Sequence, residues 1–170
     1  MPGTLEDYAF AVKSVISICR DAEQGFRAAA DAVKQPAFKE MFEQYSEQRG
    51  RFATELQEAV KSMGFETTHP SGVGGVLHGA WMTIKGTLTG HSEHAILVET
   101  ARGEDWSLKT YREALDKNLP VGIRSVIEQQ FEQVRQAHEH IVLLRDATAP
   151  KQPPPEQPEP SQLTPASSKQ

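Results

Sequence analysis

Residues 65–90 read FETTHPSGVGGVLHGAWMTIKGTLTG, and this stretch decides the fold. It opens with turn formers, Pro70, Ser71, Gly72, Gly74 and Gly75. Over residues 76–88 it then sets Leu77, Trp81, Ile84 and Leu88 on one helical face, before Gly90 breaks the pattern. A helix of about 13 residues spans roughly 20 Å. That is enough to carry the chain from one end of a helical bundle to the other.

The connections on either side are short. Helix 1 is expected from about Leu5 to Lys34, with Thr4 and Asp7 as a capping box. Its apolar stripe reads Tyr8, Val12, Val15, Cys19, Ala22, Phe26, Ala29 and Val33. Helix 2 opens at Pro36, a favoured first helical position, and stops near Gly64, with Phe38, Phe42, Tyr45, Arg49, Phe52, Leu56, Ala59 and Met63 in its stripe. Helix 3 begins near Ser92, a good N-cap residue, and carries His94, Leu97, Ala101, Glu104, Leu108, Tyr111 and Leu115. Helix 4 opens at Pro120 and ends near Ala147, with Ile127, Phe131, Val134, His138, Ile141, Leu144 and Arg145 along its stripe. Short links at Gln35 and at residues 117–119 force antiparallel pairs. One long crossover between two such pairs is the ferritin-like four-helix topology. Residues 1–147 therefore read as one all-α domain.

Seven of the eleven prolines fall after residue 149. Residues 148–170 hold almost no large apolar side chains and cannot offset their ordering entropy, so they read as a disordered tail with polyproline II character at Pro153, Pro154 and Pro155. An SH3-type ligand is one use for such a segment; a solubilising extension is the simpler one. The net charge is -5, which supplies no electrostatic footprint for nucleic acid. No run approaches a membrane span, and MPGTLEDYAF at the start lacks the basic and apolar regions of a signal peptide. A single cysteine, Cys19, rules out an intramolecular disulfide framework and sits in a core stripe. The expected location is cytoplasmic.

Polar residues interrupting the stripes carry the functional information. Arg49, Glu104 and His138 fall directly in stripe positions, and Glu23 lies beside its own. Counted from the end where helix 1 starts, Glu23 stands roughly 25 Å up, Arg49 roughly 21 Å, Glu104 roughly 20 Å and His138 roughly 26 Å. Four independent stripes thus reach one layer. Unpaired charges there are costly, so the residues should satisfy one another. In one reading Arg49 forks between Glu23 and Glu104 and His138 completes the network. In the other, Glu23, Glu104 and His138 bind iron or manganese. Gln48, Glu55 and Gln130 are further side chains able to reach inward. A di-iron bundle needs Glu-x-x-His on two helices; here helix 2 offers Glu47-x-x-Gly50, and Arg135 stands three before His138.

The segments DAEQGFRAAAD (21–31), RGRFATELQ (49–57), GGVLHGAWMTIKGTLTG (74–90), HAILVETARGEDWSLKTYREAL (94–115) and QAHEHIVLLRD (136–146) resemble a bacterial family of ferritin-like four-helix bundles of unknown function. The likeness covers residues 5–147 and implies the fold, with Glu23, Arg49, Glu104 and His138 as the positions of interest. Likeness to ferritins and rubrerythrins is more distant, and their oxidase chemistry is not implied where the Glu-x-x-His pairs are missing.

Weaker signals have plain structural readings. His91-Ser-Glu-His94 reads as a capping segment before a surface metal site. Gly72-Val-Gly-Gly75 lacks the Lys-Ser/Thr of a phosphate loop. Trp81 and Met82 read as packing across the bundle before contact with a partner subunit. No serine or cysteine has a His–acid set for nucleophilic hydrolysis. Two functional expectations follow. The first is a non-enzymatic bundle acting through its surface, as a stress-associated, interaction or self-associating protein, with no small-molecule ligand assigned. The second is a metal protein with redox or storage chemistry.

Overall fold

A computed structural model describes residues 5–64, 81 and 90–152. The Thr4–Asp7 capping box, the Gly72–Gly75 turn, the crossover helix apart from Trp81, Met82, and the proline-rich tail from residue 153 lie outside the described residues. The described residues form four long helices: α1 (Leu5–Ala32), α2 (Pro36–Ser62), α3 (Glu93–Leu115) and α4 (Val121–Ala147). The described residues contain no strand, and none of their helices is long and apolar enough to cross a membrane.

Local chemistry sets each boundary. Pro36 pushes Gln35 into an extended conformation (φ -70°, ψ 124°), which ends α1 and starts α2 within three residues. Gly64, at φ +83°, closes α2 by donating to the Lys61 carbonyl at 3.0 Å. Ser92 caps α3, its Oγ accepting from the Ala95 N–H at 3.1 Å. Arg124 reaches back from α4 and donates to the Leu115 and Lys117 carbonyls at 2.9 and 2.8 Å, satisfying acceptors at the end of α3.

Glu93 orders the bundle. Its carboxylate accepts from the backbone N–H groups of Lys34 (2.9 Å) and Gln35 (2.7 Å) and from the Gln35 side chain (2.7 Å). The start of α3 therefore lies beside the start of α2, so the two run parallel, and the end of α2 and the start of α3 lie at opposite poles of the bundle. His94 then joins this end to the end of α4, its Nδ1 lying 3.0 Å from the Arg145 carbonyl and 3.2 Å from Thr148 Oγ1. Around the bundle α1 packs on α2 and α3, and α4 packs on α3 and α2. Helices α2 and α3 stand on a diagonal, as do α1 and α4.

Phe26, Phe42, Leu56, Leu97, Tyr111, Ile127 and Ile141 are among the fully buried side chains of the core. Trp81 joins them at 0 % exposure, although it belongs to the crossover. It fits because two helices carry glycine where it lies. A Cβ on Gly25 of α1 would come within 2.2 Å of the Trp81 ring, and one on Gly103 of α3 within 2.7 Å. The indole also meets Phe26 edge-on at 5.0 Å between centroids. The two glycines form a notch that seats the Trp81 ring between α1 and α3.

Candidate functional site

Arg49 is the centre of the polar layer. Three residues separate it from Tyr45 and two from Phe52, so the α-helical period turns it into the bundle interior, where it is 0 % exposed. Its guanidinium lies between the rings of Phe26 and Phe52, 5.6 Å from each centroid. Its Nη2 donates to Glu104 Oε2 and its Nη1 to Gln48 Oε1. Glu104 is equally buried. The pair thus crosses the diagonal from α2 to α3, a gap only a long side chain can bridge. Burial pushes the Glu104 carboxyl above its usual range, while Arg49 and, more weakly, His138 act against that rise. Arg49 Nε and Glu104 Oε1 have no hydrogen-bond partner among the described residues.

The other two predicted members lie at this height but at the rim. Glu23 is half-buried between α1 and α2 and pairs with Arg20 at 3.1 Å, not with Arg49. Ala22, one residue earlier, takes the inward position, and one residue is a rotation of about 100°. Gly50 makes room for Glu23, since a Cβ there would stand 2.7 Å from Glu23 Oε1. On α4, Ala137 faces the core and His138 is turned toward the α3/α4 seam, where its Nε2 lies 2.8 Å from Asp105 Oδ1. The second bond from Arg49 goes to Gln48, whose Nε2 also donates to Gln133 at 3.3 Å and so links the layer to the α2/α4 seam. Tyr45 and His140 close that seam one turn away, at 2.8 Å.

A second polar layer lies deeper along the bundle and takes one member from each helix. Cys19 Sγ is 3.1 Å from the Tyr111 hydroxyl, which donates to Gln130 Oε1 at 2.8 Å. Gln130 Nε2 donates to the Phe52 carbonyl (3.2 Å) and to Glu55 (2.8 Å). With the Tyr111 proton committed to Gln130, the thiol is the donor to Tyr111. Burial pushes the Cys19 thiol up to about 11. Gln130 and Glu55 are legible as inward candidates, but the Cys19–Tyr111 link is not, because both look like ordinary stripe residues.

Iron or manganese would need several of these donors to converge. Glu104 faces Arg49, Glu23 faces Arg20, and His138 faces Asp105 across a different seam. Among the described residues no group of three His, Cys, Asp or Glu side chains is arranged to hold a metal ion. The set Glu23, Glu104 and His138 does not fit the group, and a guanidinium in the same layer opposes a cation. His94, the other metal candidate, is committed to the end of α4.

The profile of DUF2383, described as a domain of unknown function, matches residues 7–117. The match takes in α1 through α3, with Arg49, Glu104 and both notch glycines, and leaves α4 outside. No curated protein matches the sequence.

Proposed function

The chain belongs to the DUF2383 family, a domain of unknown function, and on that premise we propose a non-catalytic role: a ferritin-like helical bundle that acts through its outer surface, as an interaction or stress-associated protein, with its charged layer serving the fold. One observation carries the reading: each interior or rim acid of the layer already holds a cationic or imidazole group supplied by the chain itself. A site built for a substrate or a metal keeps a coordination position or a polar group open toward a cavity. Glu104 is instead fully buried and held by Arg49, whose guanidinium lies between the Phe26 and Phe52 rings. The proposal includes a cytoplasmic location, self-association of the bundle, and a solubilising role for the proline-rich tail.

Metal analysis of purified protein, followed by anaerobic Fe(II) titration, tests this. The expected result is no stoichiometric iron or manganese and no saturable Fe(II) uptake. Stoichiometric metal that disappears in a Glu23→Ala/Glu104→Ala variant would overturn it in favour of storage or redox chemistry.

A further inference from the structure

Four rings run in contact from the core to the surface. The Trp81 indole meets Phe26 at 5.0 Å between centroids, and Phe26 meets Tyr45 at 5.5 Å. The Tyr45 hydroxyl then stands 2.8 Å from Nδ1 of the exposed His140. We propose that this chain is an exit for oxidising equivalents: when a one-electron oxidant removes an electron from Trp81, Tyr45 replaces it and passes its phenolic proton to His140. The electron moves from Tyr45 to the indole radical cation, which returns to neutral Trp81. The proton moves from Tyr45 Oη to His140 Nδ1 and leaves a neutral tyrosyl radical near the surface. A soluble one-electron reductant of the thiol or ascorbate class then restores the phenol, with the proton returned by His140. The proposal goes beyond the surface role above and does not depend on it.

Each step has a physical reason. An oxidised indole ordinarily sheds its N–H proton, but Trp81 Nε1 is fully buried and has no hydrogen-bond partner among the described residues. The radical cation therefore keeps its charge in an apolar setting, where it draws strongly on a neighbouring electron. Phe26 is harder to oxidise than either neighbour, and the Arg49 guanidinium 5.6 Å from its centroid opposes positive charge on it. Phe26 is thus a bridge and not a resting place. A phenol gives up an electron easily only when its proton can leave to a base. Tyr45 meets that condition: with the imidazole proton on Nε2, His140 Nδ1 accepts from the hydroxyl. Tyr111 does not. Its proton is committed to the amide oxygen of Gln130, which is not a base, and burial holds the phenol well above its usual range. Trp106, the second tryptophan, has the Lys109 ammonium 4.9 Å from its ring centroid, which disfavours positive charge there. Proton chemistry therefore selects Tyr45 over Tyr111, and charge selects Trp81 over Trp106.

The experiment is laser flash photolysis of the full chain carrying Trp106→Phe, which leaves Trp81 as the sole indole. A near-ultraviolet pulse absorbed by indole alone ionises it, with a scavenger present for the ejected electron. The indole radical cation should decay as tyrosyl absorption grows in at the same rate, whatever the protein concentration. Tyr45→Phe should abolish the tyrosyl signal and lengthen the life of the indole radical by about tenfold. His140→Gln, at an exposed position, should slow the transfer by about tenfold. Tyr111→Phe should leave the rate unaltered. Circular dichroism confirms that each variant keeps its helices. The proposal is overturned if no tyrosyl signal grows in, if the signal persists in Tyr45→Phe or is lost in Tyr111→Phe, or if transfer in His140→Gln is as fast as in its parent.

Discussion

Arg49 shows what a single buried guanidinium does for this bundle. With Glu104 it spans the diagonal that no backbone contact closes, so it ties α2 to α3 where packing alone does not. Removing one partner leaves the other charge unpaired in an apolar layer. Arg49→Met should therefore destabilise the protein by about 3–5 kcal/mol in urea denaturation. Arg49→Met/Glu104→Leu should recover most of that loss, because a matched apolar pair removes both desolvation costs. A loss under about 1 kcal/mol for the single variant would mean that Arg49 reaches water. At this scale the sequence conveys height better than angle. Axial rise is the same for every helical residue, so Glu23, Arg49, Glu104 and His138 could be set at one level. Rotation is about 100° per residue, so choosing Glu23 over Ala22, or His138 over Ala137, turns a rim side chain into an apparent core one. Burial then decides: the core takes the alanines, and the longer polar neighbours find Arg20 and Asp105 at the surface.

Helix termini and the notch belong to the scale of elements. Boundaries at Pro36, Gly64, Ser92 and Pro120 are legible because each rests on local backbone chemistry. The notch is not, since a glycine inside a helix carries no sign of the ring that fills it. Its test lies in a sign. An alanine inside a helix is favoured over glycine by about 1 kcal/mol. At Gly25 the added methyl would meet the Trp81 ring, so Gly25→Ala should instead destabilise by about 1–3 kcal/mol. In a Trp106→Phe background the remaining indole emission should shift to the red. A stabilised variant with unchanged emission would remove the notch from the account. At the start of α3, withdrawal from water raises the Glu93 carboxyl, but the N–H groups of Gln35 and Lys34 outweigh that and hold it below its usual range. A depressed carboxyl adds stability above the unfolded value, about 4.3, and loses it as the pH falls through the folded value. Glu93→Gln should thus lower the urea midpoint at pH 7, and the gap from the natural protein should narrow below about pH 4. A gap independent of pH would assign the effect to shape and not to charge.

For the molecule as a whole, the thiol of Cys19 reports opening. It is buried, hydrogen-bonded to Tyr111 and displaced to about 11, so it should be unreactive in the native state. Alkylation should proceed only through unfolding, with a rate that rises with urea in step with loss of helix. Rapid labelling in the absence of urea would reveal a local opening between α1 and α3. The helical order was legible because two tight links and one long one leave few arrangements. The four-helix hydrogen-bonded layer was not, because it depends on which stripe residues meet.

The attachment of Glu93 and His94 has a mechanical side. Both act at one pole, where α1 ends, α2 and α3 begin, and α4 finishes at Ala147. The polypeptide continues beyond Gln152 from that pole. Anything tethered to that extension would tug along the axis of α4, and the His94 imidazole on Arg145 and Thr148 would bear the tension first. A fusion partner hung there would load the root of α3 well before strain reached the guanidinium at mid-height.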